Sequence, residues 1–239
     1  MKERKNENVI SGIKNDLMKC ANSEKAKVLS RFFKTGKGQY AEGDVFLGIM
    51  VPELRKVAKR YPDLPLKELR RLLSSRIHEH RLVSLLILVG KYKRTDRKGR
   101  KEIADFYLAN TRHINNWNLV DLSAPQILGN YLLDNDRSVL FRLAKSGKIW
   151  ERRISVMATF AFIRNGRFED TLRIAEMLLH DDHDLIHKAV GWMLREIGKK
   201  DRKTEEEFLK KHYRGMPRTM LRYAIEKFEE KKRASYLKK

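Results

Sequence analysis

The spacing of apolar residues constrains the fold of this chain more than any other feature. Along nearly all of its 239 residues, apolar side chains recur at helical rather than alternating intervals. Only five prolines and thirteen glycines interrupt this pattern. The sequence therefore predicts an all-α protein, in which amphipathic helices bury one face against their neighbours.

The predicted helices follow one another closely along the chain. They cover residues 8–20, 24–35, 52–60, 65–74, 77–92, 98–109, 117–133, 137–146, 150–164, 167–179, 184–199, 203–212 and 217–232. Residues 35–52 are the exception, because four glycines in this stretch predict a long loop between helices. The loop lacks the spacing of a Walker motif, and two interpretations stay open: a surface connection or a phosphate contact.

Similar helical segments recur along the chain with a spacing of about 35 residues. They begin near residues 77, 115, 149, 185 and 216, and polar helices alternate with them. Helix pairs with this period stack into a curved α-solenoid that has a concave face. We therefore predict a single α-solenoid domain over residues 1–239, with N-terminal helices and the glycine-rich loop in 1–75 and helical repeats in 76–239.

The charge of the chain indicates its partner. It contains 53 Lys and Arg against 31 Asp and Glu, which gives a formal net charge of +22. Such an excess repels itself in a compact fold, and a polyanion is the partner that compensates it. Nucleic acid is the favoured partner on this ground, and an acidic protein or an anionic membrane is the alternative.

Cysteine usage and hydropathy bear on the cellular compartment. Cys20 is the only cysteine, which excludes an intrachain disulfide and a cysteine-based zinc cluster. The first twenty residues contain no continuous apolar segment, and no later segment has the uncharged length needed to cross a bilayer. We expect a cytoplasmic protein with no membrane partner.

The helix that begins at Trp117 carries the most informative polar residue. Trp117 and Asp121 lie four residues apart at the edge of an apolar arc, and a carboxylate there is costly unless it is paired or used. Pro125 removes the backbone donor that would bond the carbonyl of Asp121. The sequence therefore predicts a kinked or distorted helix beside this carboxylate.

Two further residues stand out on the following repeats. Arg153 lies on a helix that is apolar nearly all round, so its partner is either Asp121 or a phosphate. Trp192 lies opposite the apolar arc of its helix, together with three basic residues, Lys188, Arg195 and Lys199. Each residue also has an ordinary interpretation: Asp121 and Arg153 as a structural ion pair, and Trp117 and Trp192 as packing residues.

Four stretches of the sequence resemble the AlkD-type DNA glycosylases, which are built from HEAT-like helical repeats and excise alkylated purines. They are residues 32–61, 115–133, 149–157 and 187–196. The resemblance implies an active site on the concave face, with Trp117, Asp121 and Trp192 as catalytic residues. It also implies DNA contacts by Arg153 and Phe32, and we add Lys188, Arg195 and Lys199 because they surround Trp192. Phe32 stands where some members have a tyrosine, so a hydroxyl contact is lost and the ring is kept.

This resemblance predicts a monofunctional hydrolase that acts on cationic N3- and N7-alkylpurines in double-stranded DNA, as a monomer associated with the nucleoid. No cofactor is expected, and no lysine is singled out as the amine nucleophile that strand cleavage would require. The alternative is a helical-repeat scaffold that binds nucleic acid or an acidic protein without chemistry. "HDDHD" at 180–184 and "HEH" at 78–80 are interpreted as turn and cap residues rather than as metal ligands.

Overall fold

The computed structural model describes the backbone of residues 2–238 and the side chains of residues 9–238. Within this range the regular structure is helical, apart from one isolated parallel bridge between Val45 and Ile77. The predicted all-α class is therefore confirmed. No helix among the described residues is long and apolar enough to cross a membrane.

The chain divides into two compact units, Met1–Ser123 and Ala124–Lys239. This division lies after Ser123, whereas the sequence analysis placed the boundary between the N-terminal helices and the repeats after residue 75. The assignment of the whole chain to a single domain stays a prediction. Unit 1 contains α1 (Lys2–Lys19), α2 (Ser23–Phe32), α3 (Val51–Arg60), α4 (Leu66–Leu73), α5 (His78–Arg94), α6 (Arg97–Ala109), the 3-10 turn Thr111–His113 and α7 (Trp117–Ser123).

Helix α5 is the centre of unit 1. It packs against α3, α4, α6 and α7, while α1 packs against α3 and α4. Every residue of α5 from His78 to Leu88 is buried, although four of the first five are polar or could carry charge. The polar side chains of such a helix must form their hydrogen bonds with other protein groups, because water does not reach them.

The glycine-rich loop is fixed to the start of α5. Glu79 accepts hydrogen bonds from the backbone N–H groups of Leu47 (2.9 Å), Gly48 (2.8 Å) and Ile49 (3.2 Å). Gly48 has a φ of +81°, and a Cβ there would lie 2.1 Å from the carbonyl oxygen of Asn22. Because Glu79 already occupies these three donors, this part of the loop has no free N–H groups to offer a phosphate.

Unit 2 is arranged around α13. Its elements are the π-helical turn Pro125–Gly129, α8 (Asn130–Leu132), α9 (Ser138–Ala144), α10 (Ile149–Ala158), α11 (Phe160–Arg164), α12 (Glu169–Met177), α13 (Asp184–Lys200), α14 (Arg202–His212), α15 (Arg218–Ala224), the 3-10 turn Ile225–Lys227 and α16 (Glu230–Leu237). Helix α13 packs against all of α10, α11, α12, α14 and α15. At Gly191 the backbone of α15 approaches so closely that a Cβ would lie 2.4 Å from the carbonyl oxygen of Met220.

Several predicted helices are divided in the structure. The helix predicted over 150–164 is divided into α10 and α11 at Thr159, whose hydroxyl donates to the carbonyl oxygen of Val156 at 2.7 Å. Such back-bonding by a threonine competes with the helical pattern of hydrogen bonds. The helix predicted over 217–232 ends at Ala224 and continues as a 3-10 turn before α16 begins.

A buried carboxylate lies between α13 and α14. Glu205 is 1% exposed, and a Cβ at Gly198 would lie 1.7 Å from its Oε2. Arg202 is 3.4 Å from the same oxygen, whereas Oε1 has no hydrogen-bond partner among the described residues. Burial raises the pKa of Glu205 to about 8, with the charge of Arg202 opposing the shift.

Candidate active site

An aromatic cluster in unit 1 supports the first candidate residue, Trp117. Phe33, which follows α2 directly, is 6% exposed. Its ring stacks on those of Phe46 (centroids 5.1 Å apart), His78 (5.3 Å) and Trp117 (5.1 Å), with interplanar angles of 13°, 30° and 26°. The indole of Trp117 is therefore held in place by packed aromatic rings.

His78 stabilises this stack from the start of α5. Its Nε2 lies 3.0 Å from the amide nitrogen of Asn118, and its Nδ1 lies 3.5 Å from the carboxylate of Asp44. Nδ1 also lies 3.5 Å from Nη2 of Arg81, so the ring connects Asn118 on α7 to the Asp44–Arg81 ion pair. Burial lowers the pKa of His78, so the ring is neutral at physiological pH and the cluster carries no charge of its own there.

Phe32 and Trp117 form the exposed edge of the cluster. The ring of Phe32 meets Trp117 edge to face, with centroids 6.0 Å apart, and it meets Phe33 in the same way at 5.1 Å. Phe32 is 61% exposed, which is unusual for a phenylalanine beside a packed aromatic stack. These two rings therefore present an apolar surface to solvent and to any ligand.

Asp121 lies one turn after Trp117 on α7. Both residues are half-buried, whereas Asn118, Leu119 and Val120 between them are buried, so the pair occupies the accessible side of the helix. Tyr107 lies behind α7, fully buried, with its hydroxyl 2.9 Å from that of Ser123. Burial raises the pKa of Tyr107, and the negative charge of Asp121 raises it further.

The predicted distortion beside Asp121 is confirmed. Helix α7 ends at Ser123, and Pro125–Gly129 forms a π-helical turn in which Gly129 N–H donates to the carbonyl oxygen of Ala124 at 2.9 Å. Pro125, which has no N–H, begins this turn. Single π-helical turns within helices occur frequently at functional sites.

Arg153 is buried within unit 2, at 4% exposure. One terminal nitrogen of its guanidinium, Nη1, donates to the carbonyl oxygen of Leu185 at 2.5 Å, which joins α10 to the start of α13. A buried guanidinium with this partner contributes to the scaffold of unit 2. Its predicted contact with DNA stays a prediction.

Trp192 is only half-buried on α13, as its helical position predicts. Its ring lies 6.0 Å from that of Phe160, and its Nε1–H donates to the carboxylate of Glu196 at 3.0 Å. The sequence interpretation placed only basic residues around Trp192 and overlooked Glu196, although Glu196 is one helical turn away.

The three basic residues around Trp192 all have acidic partners. Lys188 pairs with Asp184 at 2.8 Å, and Lys199 pairs with Glu196 at 2.6 Å. Arg195 pairs with Glu226. Their charges are therefore partly compensated in unit 2, and DNA contact by Lys188, Arg195 and Lys199 stays a prediction.

The two histidine-rich segments have structural roles. His183 is the N-cap of α13, and its Nδ1 accepts from the backbone N–H of Leu185 at 3.1 Å. Asp181 pairs with Arg152 at 2.6 Å. In the "HEH" segment, His78 and Glu79 have the roles described above. Among the described residues, no group of three or more His, Cys, Asp or Glu side chains could hold a metal ion.

Sequence reasoning missed most of the residues that support Trp117. Phe33, Phe46, His78 and Asn118 were not assigned to the site. Two signals could have found them: the adjacent phenylalanines at the C-terminal end of α2, and the histidine that begins the polar first turn of a helix whose next residues are apolar. Both features require an aromatic or polar neighbour brought from elsewhere in the chain.

Comparison with known proteins gives a match to one family model and matches among solved structures. The model of a family described as DNA alkylation repair enzyme matches residues 13–228. Among solved structures, the chain is similar to a predicted DNA alkylation repair enzyme from Enterococcus faecalis, with a TM-score of 0.67, 17% identity, and coverage of 88% of this chain and 97% of that chain. At this identity the likeness shows a shared fold. No curated protein matches the sequence.

Proposed function

Because the chain belongs to the DNA alkylation repair enzyme family, we propose that it hydrolyses the N-glycosidic bond of cationic N3- and N7-alkylpurines in duplex DNA. The observation that carries the proposal is the pair formed by Trp117 and Asp121 on the accessible side of α7. The aromatic stack holds the indole, and the carboxylate follows one helical turn later. This arrangement suits a reaction that develops positive charge on a sugar.

The leaving group explains why so few catalytic residues are needed. A purine alkylated at N3 or N7 is already cationic, so the bond between C1′ and the purine nitrogen breaks with its electron pair moving to the base, and no general acid is required. Positive charge then develops on the deoxyribose, as in glycoside hydrolysis. Water attacks C1′ and its proton is released to solvent, which leaves an abasic site and a neutral free base.

Asp121 supplies the electrostatic stabilisation in this scheme. A carboxylate about 4 Å from the sugar cation, at an effective dielectric near 20, gives roughly 4 kcal/mol of gross attraction. That attraction corresponds to an upper bound of about a thousandfold in rate. The same carboxylate orients the attacking water, and the π-face of Trp117 adds cation–π stabilisation of about 1 kcal/mol.

Duplex DNA is the proposed partner, and the enzyme acts as a monomer without a cofactor. The net charge of +22 supplies the attraction to phosphates. In this proposal Trp192 contacts the backbone of the lesion, Phe32 contacts the damaged strand through its exposed ring, and Lys188, Arg195 and Lys199 exchange their acidic partners for phosphates. Arg153, which is buried, acts from behind this surface in the proposal, because its hydrogen bond to the carbonyl oxygen of Leu185 positions the start of α13.

A base-release assay tests this function. The protein is incubated with duplex DNA that carries N3- or N7-methylpurines, and the free bases are separated by chromatography while abasic sites and strand breaks are scored. The proposal predicts release of methylated bases, abasic sites and uncut strands. Binding to this DNA without any base release above a protein-free blank would instead identify a scaffold.

DNA affinity should depend steeply on salt. Each Lys or Arg that contacts a phosphate releases counterions, so several contacts predict a fall of at least tenfold in affinity between about 50 and 200 mM salt. Fluorescence anisotropy with an undamaged duplex measures this dependence. An affinity that stays constant over that range would contradict the electrostatic account of binding.

Trp192→Ala should impair lesion processing at little cost in stability. The indole is half-buried and loses one hydrogen bond to Glu196, so the decrease in unfolding free energy should be well below the roughly 3–5 kcal/mol of a buried tryptophan deletion. Single-turnover base release should be slower, and Trp192→Phe should restore part of the rate because it keeps a π-face. Urea unfolding provides the second measurement. A stability loss as large as that of a core deletion would show that Trp192 belongs to the packing of unit 2.

A further inference from the structure

A basic cleft in unit 1 has no part in the proposed catalytic arrangement. It has a volume of about 360 Å³ and is bordered by the glycine-rich loop, the segment between α4 and α5, and the turn that precedes α7. This volume lies within the range of small-ligand sites, about 300–1,000 Å³. Arg76, Arg112 and His113 line it, together with the buried Arg81.

Backbone hydrogen bonds preform this cleft. Val45 N–H donates to the carbonyl oxygen of Arg76 at 3.1 Å, and His78 N–H donates to that of Val45 at 2.8 Å. Arg81 adds a third link, because its Nη1 donates to the carbonyl oxygen of Ser75 at 2.8 Å. The loop and the segment before α5 are therefore fixed to each other, and little ordering would be required on binding.

The acidic groups of the cleft are already occupied. Asp44 accepts from Nη2 of Arg81 at 2.5 Å, and Glu42 accepts from the backbone N–H of Gly38 at 2.8 Å. By contrast, Arg76 and Arg112 are exposed and have no carboxylate partner in the part of the chain that the structure describes. With Arg76, Arg81 and Arg112 against Glu42 and Asp44, the lining has a net charge of +1, and the two exposed guanidinium groups stay available to an anion.

His113 contributes a hydrogen-bond donor rather than a charge. Nε of Arg112 donates to its Nε2 at 3.0 Å, which places the ring proton on Nδ1. Burial lowers the pKa of His113, and the positive charges of Arg112, Arg70 and Arg81 lower it further. The crowding of these cations favours an anion between them, because an anion would stabilise all of them at once.

Two buried polar atoms at the cleft also lack partners. Nε of Arg81 and Oδ1 of Asn115 have no hydrogen-bond partner among the described residues, and Arg81 as a whole is 3% exposed. Unsatisfied buried groups are uncommon in native proteins, and they occur where an ion or an ordered water completes the site. A phosphate oxygen would accept from Nε of Arg81, whereas Oδ1 of Asn115 is an acceptor and would need an ordered water as its donor.

We propose that this cleft binds a phosphate oxyanion through the guanidinium groups of Arg76 and Arg112 and the Nδ1–H of His113. Planar guanidinium groups match the oxygen atoms of phosphate in a bidentate manner. The phosphate has two possible sources, the backbone of DNA or a free phosphate or phosphomonoester. The DNA source rests on the proposed function, whereas the free source does not.

The test compares two charge-matched double variants of the full chain. The cleft variant is Arg76→Gln with Arg112→Gln, and the control is Arg55→Gln with Arg97→Gln, two exposed arginines of the same unit. Binding of inorganic phosphate is measured by calorimetry, and binding of an undamaged duplex by anisotropy at several salt concentrations. Neither measurement requires base release, so failure of the proposed glycosylase activity would not affect the outcome.

We expect the cleft variant to lose phosphate affinity by about tenfold or more, since it removes two charged hydrogen-bond donors to the anion. The control should keep the affinity of the wild type. If the phosphate belongs to DNA, the cleft variant should also bind the duplex more weakly than the control, with a salt slope smaller by about one or two. Duplex affinity equal to that of the control would identify a free phosphate as the ligand.

The proposal is overturned if the cleft variant and the control behave alike in both measurements. All the substituted arginines are exposed, so folding should be unaffected, and melting temperatures check this. Arg76→Lys with Arg112→Lys provides a further comparison. It keeps the charge but loses the planar fork, and its phosphate affinity should lie between those of the wild type and the cleft variant.

Discussion

Asp121→Asn should lower the rate of alkylpurine release by roughly 10²–10³ under single-turnover conditions, because it removes the charge that stabilises the sugar cation. The substitution keeps the shape and volume of the side chain. DNA binding should survive or become tighter, since a negative charge that faces the phosphates is lost. The measurements are single-turnover release of a cationic methylpurine and anisotropy with the same duplex.

The control for this substitution is Asp105→Asn. Asp105 is 58% exposed on α6 and pairs with Lys101 at 2.7 Å, so its loss should change neither rate nor stability by more than a small amount. If Asp121 instead served only as one member of a structural ion pair, Asn would lower the unfolding free energy, by about 3–5 kcal/mol for a pair that is fully buried. An unchanged release rate would remove Asp121 from the catalytic residues.

Glu205→Gln should make the protein more stable than the wild type at alkaline pH, by up to about 5 kcal/mol. The pKa of Glu205 is raised from 4.5 to about 8 in the folded state, so the native protein binds a proton that the unfolded chain releases. The stabilisation by this proton is complete below about pH 4.5 and is lost as the pH rises through about 8. At pH 5 the variant and the wild type should therefore have similar stability.

Urea unfolding between pH 5 and pH 9 measures this difference, with Glu207→Gln as the matched control. Glu207 lies on the same helix, is 61% exposed and pairs with Lys203 at 3.9 Å, so its replacement should change stability little at any pH. The curves of the wild type and Glu205→Gln should separate as the pH rises. Parallel curves would show that Arg202 compensates the buried charge of Glu205 fully.

The all-helical fold could be predicted because helical periodicity is a local property of the sequence. The breaks within helices were harder to predict. The distortion after α7 could be predicted from Pro125, because a proline has no N–H and cannot donate the helical hydrogen bond at its position. Thr159, by contrast, ends α10 through a side-chain hydrogen bond to Val156, and nothing in the periodicity distinguishes it from an ordinary helical threonine.

The candidate site was predictable to a different extent in its exposed and buried parts. The sequence singles out Trp117 and Asp121 because a carboxylate next to a tryptophan at the edge of an apolar arc is unusual. It singles out Trp192 because a tryptophan on the polar side of its helix is unusual as well. The residues behind them could not be found in this way, because Phe33 and His78 meet only when α2, α5 and α7 pack together. Glu79 is a similar case, since its partners in the glycine-rich loop precede it by about 30 residues.

The most direct test of the account compares two lesions that differ in charge. Single-turnover base release is measured on matched duplexes that contain either cationic N7-methylguanine or neutral O6-methylguanine at the same position. Because the proposed site offers a carboxylate and aromatic faces but no general acid, we predict release of the cationic base and none of the neutral base above the protein-free blank. Release of neither base, or of both at similar rates, would contradict the proposed function.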